Sequence, residues 1–227
     1  MTAEANAELD GALRLLADAG AGTTVHPSGT LLGHLQGTRA LLVRWGCAEH
    51  VCAAGLYHSV YGTEAFRRAT IGPHERACVR DCIGADAERL AHLYCTMVRR
   101  SLYENLDRGA PHHVVDRTSG ERIVLDLGEL SDLLTLDLAN RLEQLPRVPM
   151  SLWRMEADRR RYGRAVPFLP EAAAVEMRRV YRRRSRALIA ADGLIRLARR
   201  LLRRRRMPDE VGVRAPDGPP RIAADHP

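Results

Sequence analysis

Residues 53–64 read AAGLYHSVYGTE, and the parsing of this stretch decides the fold. Its first half is small and apolar, which suits a helix from about Glu49 to Val60 that is buried on most sides. Upstream, HPSGTLLGHLQGTRALLVRWG (26–46) spaces Leu31, Leu32, Leu35, Leu41, Leu42 and Trp45 as a helical stripe. Ser28 is the expected N-cap of that helix and Gly46 its stop. The link WGCAE is short, so the two helices should be antiparallel neighbours that bring His34 and His58 face to face. Imidazoles on adjacent helices suit zinc, iron or manganese, with carboxylates completing the shell. The competing reading makes each histidine a core residue with a backbone partner.

Working outward, the pattern is mainly α. One helix is expected over 5–19, and two more, over 74–83 and 85–106, are parted by Gly84. HHVVDRTSGERIVLD has β-branched residues on both sides of Ser119-Gly120 and reads as a surface β-hairpin. Helix returns over 128–145 and stops at Pro146; a short amphipathic helix then leads through AVPFLP to a long basic helix over 171–206. The expected organisation is an N-terminal helix (1–23), a helical domain with the hairpin inserted (24–148), a basic helical extension (149–206) and a Pro/Gly-rich disordered tail (207–227).

Composition narrows the chemistry. Apolar residues make up 45% and aromatics 4%, so the core is aliphatic. No run of 18 apolar residues predicts a transmembrane segment, and the N-terminus lacks a basic and apolar leader, so the expected location is cytoplasmic. Five scattered cysteines without a CxxC pair read as small thiols in the core. All 35 basic residues are arginine, which excludes Schiff-base chemistry and a P-loop. Residues 1–153 carry 15 Arg against 19 acids, whereas residues 154–227 carry 20 Arg against 9. A basic amphipathic helix over 178–206 suits an anionic membrane surface, nucleic acid, or packing on the domain or in a homodimer.

His34, 23 intervening residues and His58 in an AxLxHx helix resemble the HD superfamily of metal-dependent phosphohydrolases, with the stringent-response nucleotide hydrolases as the nearest branch. The matching pieces are HLQGTRALL, AAGLYHSVYGTE and LDLANRLEQL. The longer string over 24–148 also resembles a bacterial domain-of-unknown-function family. The HD resemblance implies a helical bundle and a metal held by histidines and acids. Two of the family's acids fall on Ser59 and Asn140 here, leaving a neutral set that suits magnesium poorly.

Three groups stand near enough in sequence to substitute: His26 as a third nitrogen, Glu64 beyond a turning glycine, and Asp137 one turn before Asn140. A set of His26, His34, His58 and Asp137 would suit iron or zinc. Tyr57, Ser59, Tyr61, Thr63 and Asn140 are the expected pocket residues. Glu64 and Arg76 are the expected catalytic pair, with Arg76 or Arg80 supplying a cation for an anionic substrate. The expected function is a divergent HD-like metal-dependent enzyme, hydrolytic or oxidative, on a small anionic substrate. The alternatives are a metal-free binding or regulatory module on the same scaffold, and an adaptor working through its basic helix.

Overall fold

The computed structural model describes residues 3–27 and 29–205, and within them the chain is mainly α-helical. In order the elements are α1 (Ala3–Asp18), β1 (Val25–His26), β2 (Gly29–Thr30), α2 (Leu31–Arg44), α3 (Glu49–Tyr57), α4 (Arg76–Ile83), α5 (Ala85–Thr96), α6 (Arg99–Glu104), β3 (His112–Val115), β4 (Arg122–Leu125), α7 (Leu127–Gln144), α8 (Leu152–Ala165) and α9 (Glu171–Arg205). No helix among the described residues is long and apolar enough to cross a membrane. The described residues divide into two units at Arg186 and Ala187. The tail expected to be disordered lies outside the described residues, as does Ser28.

Helices α2, α3, α5 and α7 pack together as the heart of the first unit. Leu31, Leu35, Leu42, Leu56, Leu93, Leu130, Leu134 and Leu138 are buried among them, each stabilising the fold by about 2 kcal/mol. At Gly55 a Cβ would come within 2.4 Å of Leu42 Cδ1, so the missing side chain lets α3 lie close on α2. The Tyr57 hydroxyl donates to the carbonyl of Ala12 at 2.7 Å and ties α3 to α1. Cys52 and Cys95 are buried, and burial pushes both thiols up to about 12; Cys78 is exposed.

Several boundaries differ from expectation for local reasons. The N-cap of α2 is Thr30, whose hydroxyl accepts from Gly33 N, after a two-residue strand pair that the sequence pattern did not announce. The helix expected over 85–106 is split at Met97 and Val98. There the chain turns extended to meet the hairpin: Met97 bridges Asp116, and Val98 N donates to Val115 O at 2.7 Å. The α7 N-terminus carries a capping box between Asp126 and Glu129, a signal readable in the sequence. The first half of α9 packs inward through Ala173, Ala174, Met177 and Tyr181, and Tyr181 stacks on Tyr162 of α8.

The hairpin turn is held by Asp116, whose Oδ1 accepts from Thr118 N, Thr118 Oγ1 and Ser119 N. Burial works against the charge, but those donors outweigh it and bring the carboxyl down to about 2. A depressed carboxyl stabilises the fold above its unfolded value near ~3.9, and that contribution fades as pH falls towards 2. Asp116→Asn should therefore cost about 1–2 kcal/mol at neutral pH in urea denaturation, and the gap to wild type should close between pH 4 and pH 2.

Candidate functional site

His34 lies near the start of α2 and His58 caps the C-terminal end of α3, and both side chains are buried. Their Nε2 atoms face each other at 3.1 Å. The opposite nitrogens are both engaged. His58 Nδ1 donates to the Gly55 carbonyl at 2.8 Å, and His34 Nδ1 donates to a carboxylate oxygen of Glu143 on α7. Burial first, and then the neighbouring His34, hold His58 far below its usual pKa, so the ring is neutral with its proton on Nδ1. Its Nε2 is a lone pair. Gly37, one turn after His34, makes the Glu143 contact fit, because a Cβ there would lie 2.8 Å from Glu143 Cγ.

A third acceptor joins the pair. Asn140 Oδ1 sits 3.2 Å from His58 Nε2, and the surrounding network fixes which way that amide points. The Tyr94 hydroxyl gives its proton to Asp137 Oδ1 at 3.1 Å, so its oxygen can only accept, and it accepts from Asn140 Nδ2 at 2.7 Å. Gln144 Nε2 donates to Asn140 Oδ1 at 2.8 Å. The amide oxygen therefore faces the histidines.

The sequence-predicted residues divide into those brought to this point and those held elsewhere. His26 stacks flat on the His34 ring, with centroids 4.1 Å apart and 11° between planes. Lone pairs in two parallel rings do not converge, so His26 stands beside the pair rather than completing it; burial and His34 bring it down to about 4. Asp137 does not reach the histidines. It is ion-paired with Arg99 and accepts from Tyr94, from Tyr103 at 2.6 Å and from Tyr162 at 2.8 Å. Burial opposes its charge, but Arg99 and the tyrosines hold it below the usual carboxylate range. Among the described residues no three His, Cys, Asp or Glu side chains are grouped to hold a metal ion; the third donor near the pair is an amide.

Glu64 accepts from Arg99 N at 2.9 Å and so caps α6. Arg76 grips Glu88 through Nε at 2.7 Å and Nη2 at 2.9 Å, and Tyr61 donates to the same carboxylate. Arg80 lies 4.0 Å from Glu88. Arg76, Arg80, Tyr57 and Tyr61 thus serve structural contacts away from the cavity, and the sequence expectation of Arg76 as its cation is corrected. Thr63 closes the turn after Gly62 by accepting from Phe66 N at 3.0 Å. Gly62 is required there: its φ is +75°, and a Cβ would lie 2.7 Å from the Arg67 carbonyl oxygen.

A cavity of about 550 Å³ opens at Asn140, with His26, Ser59, Thr63, Glu64 and Tyr94 also among its lining residues; His34 and His58 are buried behind that lining. Its cations are Arg99, Arg141, Arg154 and Arg161. Asp158 pairs with Arg141 and Arg161, and Arg161 also stacks on Tyr103 at 4.3 Å. Arg154 forms no ion pair among the described residues; its guanidinium lies 5.9 Å from the ring of Trp153, which is 71% exposed beside the cavity.

A family model described as a domain of unknown function (DUF6817) matches residues 15–99. The matched segment contains His26, His34 and His58 and ends before α7, which supplies Asn140 and Glu143. No curated protein and no solved structure gives a match.

The ion pair buried under the cavity generates a stability prediction. Asp137→Ala would leave the largely buried Arg99 guanidinium without its carboxylate at the cavity wall and should cost about 3 kcal/mol, read as a lowered urea midpoint.

Proposed function

We propose that the chain is a divergent HD-like metal-dependent enzyme acting on a small anionic substrate, with a divalent ion held by His34 Nε2, His58 Nε2 and Asn140 Oδ1. One observation carries this reading: His58 Nε2 faces two other acceptor atoms, His34 Nε2 at 3.1 Å and Asn140 Oδ1 at 3.2 Å, while both Nδ1 atoms are occupied on acceptors. Lone pairs at that distance repel unless a positive charge lies between them. A second proton on His34 would satisfy the contact with His58 and leave the contact between His58 and Asn140 unrelieved. A cation satisfies both. Orientation of each imidazole through its far nitrogen, by Glu143 and by the Gly55 carbonyl, is the arrangement that metal-binding histidines use. Two imidazole nitrogens and one amide oxygen suit zinc or iron better than magnesium, manganese or calcium.

An ion held there would lower the pKa of a bound water or polarise a substrate oxygen. The protein's own groups do the rest. Glu143 and Gly55 keep both rings in register, and Tyr94 and Gln144 keep the amide oxygen inward. Arg99, Arg141 and Arg161 line the cavity with fixed guanidinium groups, and Arg154 is free of a carboxylate to meet an incoming anion.

A second reading, the metal-free binding module, is favoured by a separate observation. Glu64 and Asp137, the acids expected to complete a shell, are held by Arg99 instead. In that case the His34–His58 pair is a buried structural contact, and the cavity binds its anion without chemistry.

Metal analysis separates the two. Wild type should hold about one equivalent of zinc or iron, lost in both His34→Ala and His58→Ala. Asn140→Asp adds a negative charge to the donor set and should tighten binding at least about tenfold in a chelator competition. Absence of bound metal after reconstitution with zinc and with iron would overturn the enzyme reading and leave the binding module.

A further inference from the structure

Helix α9 presents a surface unrelated to the cavity. Within residues 171–186 its apolar groups, Ala173, Ala174, Met177 and Tyr181, face inward and are buried. The outward side carries Arg178, Arg179, Arg182, Arg183 and Arg186 around Val175, lining a shallow groove of about 510 Å³. At 3.6 residues per turn, Arg178, Arg182 and Arg186 form one row and Arg179 and Arg183 a second, with a rise of ~6 Å between successive members. Glu176, the acid nearest to them on the helix, is turned towards Arg44 and the Trp45 indole. None of the five arginines forms a salt bridge among the described residues. Rows of like charge at i, i+4 repel one another, and a polyanion laid along them removes that cost.

We infer that this face docks on the phosphate backbone of double-stranded nucleic acid without reading its sequence. Guanidinium groups bind phosphate oxygens with two parallel hydrogen bonds each, and two rows can follow successive phosphates. A lipid surface fits less well, because an interfacial helix needs a broad apolar face to insert. Over residues 171–186 the inward apolar face is already buried, and Val175 is the one apolar residue lining the groove. Single strands fit less well too, since no aromatic ring lines the groove for bases to stack on.

The test uses the full chain and a fluorescein-labelled 20-base-pair duplex, followed by anisotropy as sodium chloride is raised. The triple variant Arg178→Gln/Arg182→Gln/Arg186→Gln should bind at least about tenfold more weakly at low salt. Its plot of log affinity against log salt should be shallower by roughly 2.7, three contacts at about 0.9 each. A control triple with the same charge loss, Arg67→Gln/Arg68→Gln/Arg100→Gln, should keep the wild-type slope. All of these side chains are exposed, so thermal melting should match wild type in both variants. Equal effects of the two triples would overturn the inference in favour of diffuse charge attraction. Absence of duplex binding by wild type would also overturn it, and capture by phosphatidylserine vesicles in its place would assign the face to lipid.

Discussion

The charge on Asp137 governs the polarity of everything around the histidine pair. A buried carboxylate accepts and does not donate, so every group that touches it must present a proton, and Tyr94 does so. With that proton committed, the Tyr94 oxygen becomes an acceptor and turns the Asn140 amide, whose oxygen then looks at His58. The direction of each bond follows from the one before it. Arg99 makes the arrangement affordable by neutralising the charge, and its guanidinium lies over the Tyr94 ring at 4.2 Å. Asp137 therefore acts on the site at a distance, through orientation.

The same logic applies on the far side of the pair. Glu143 is nearly inaccessible to solvent, and burial alone would drive it neutral. The hydrogen bond from His34 and the charge of Arg147 reverse that and hold its pKa below the usual carboxylate range. Space for it comes from Gly37 on α2. Two carboxylates from one helix thus divide the work: Glu143 receives the His34 Nδ1 proton and Asp137 sets the direction of the Asn140 amide, while the Gly55 carbonyl holds the proton of His58.

The helical framework was legible because its signals are local and periodic. The leucine stripe of α2, the apolar run of α3 and the break at Gly84 each depend on a few neighbouring residues. The meeting of His34 and His58 followed from a short connection between two such helices. What escaped was set by tertiary contacts. The split between α5 and α6 comes from strand pairing with a hairpin some twenty residues away, which outbids a continuous helical pattern. The partner of Asp137 is Arg99, 38 positions distant, so spacing alone suggested the histidines instead. One signal was present and unused: Asp137, Asn140, Arg141 and Gln144 form a polar stripe on an otherwise leucine-rich α7, and such a stripe on a buried helix must face other polar groups.

The hairpin also determines where the chain tolerates change. Its tip, Ser119 and Gly120, is exposed and bears no contact with the cavity, so extra residues spliced there would lengthen an outer loop. The strand end just before the turn behaves differently, because Val115 and Asp116 fix the point at which α5 ends and α6 begins. A single residue inserted just before Val115 would slip that register, swing α6 and carry Arg99 off the carboxylate it neutralises. A peripheral ribbon, remote from the histidines in sequence, thereby works as the gauge that sets the depth of the cavity floor.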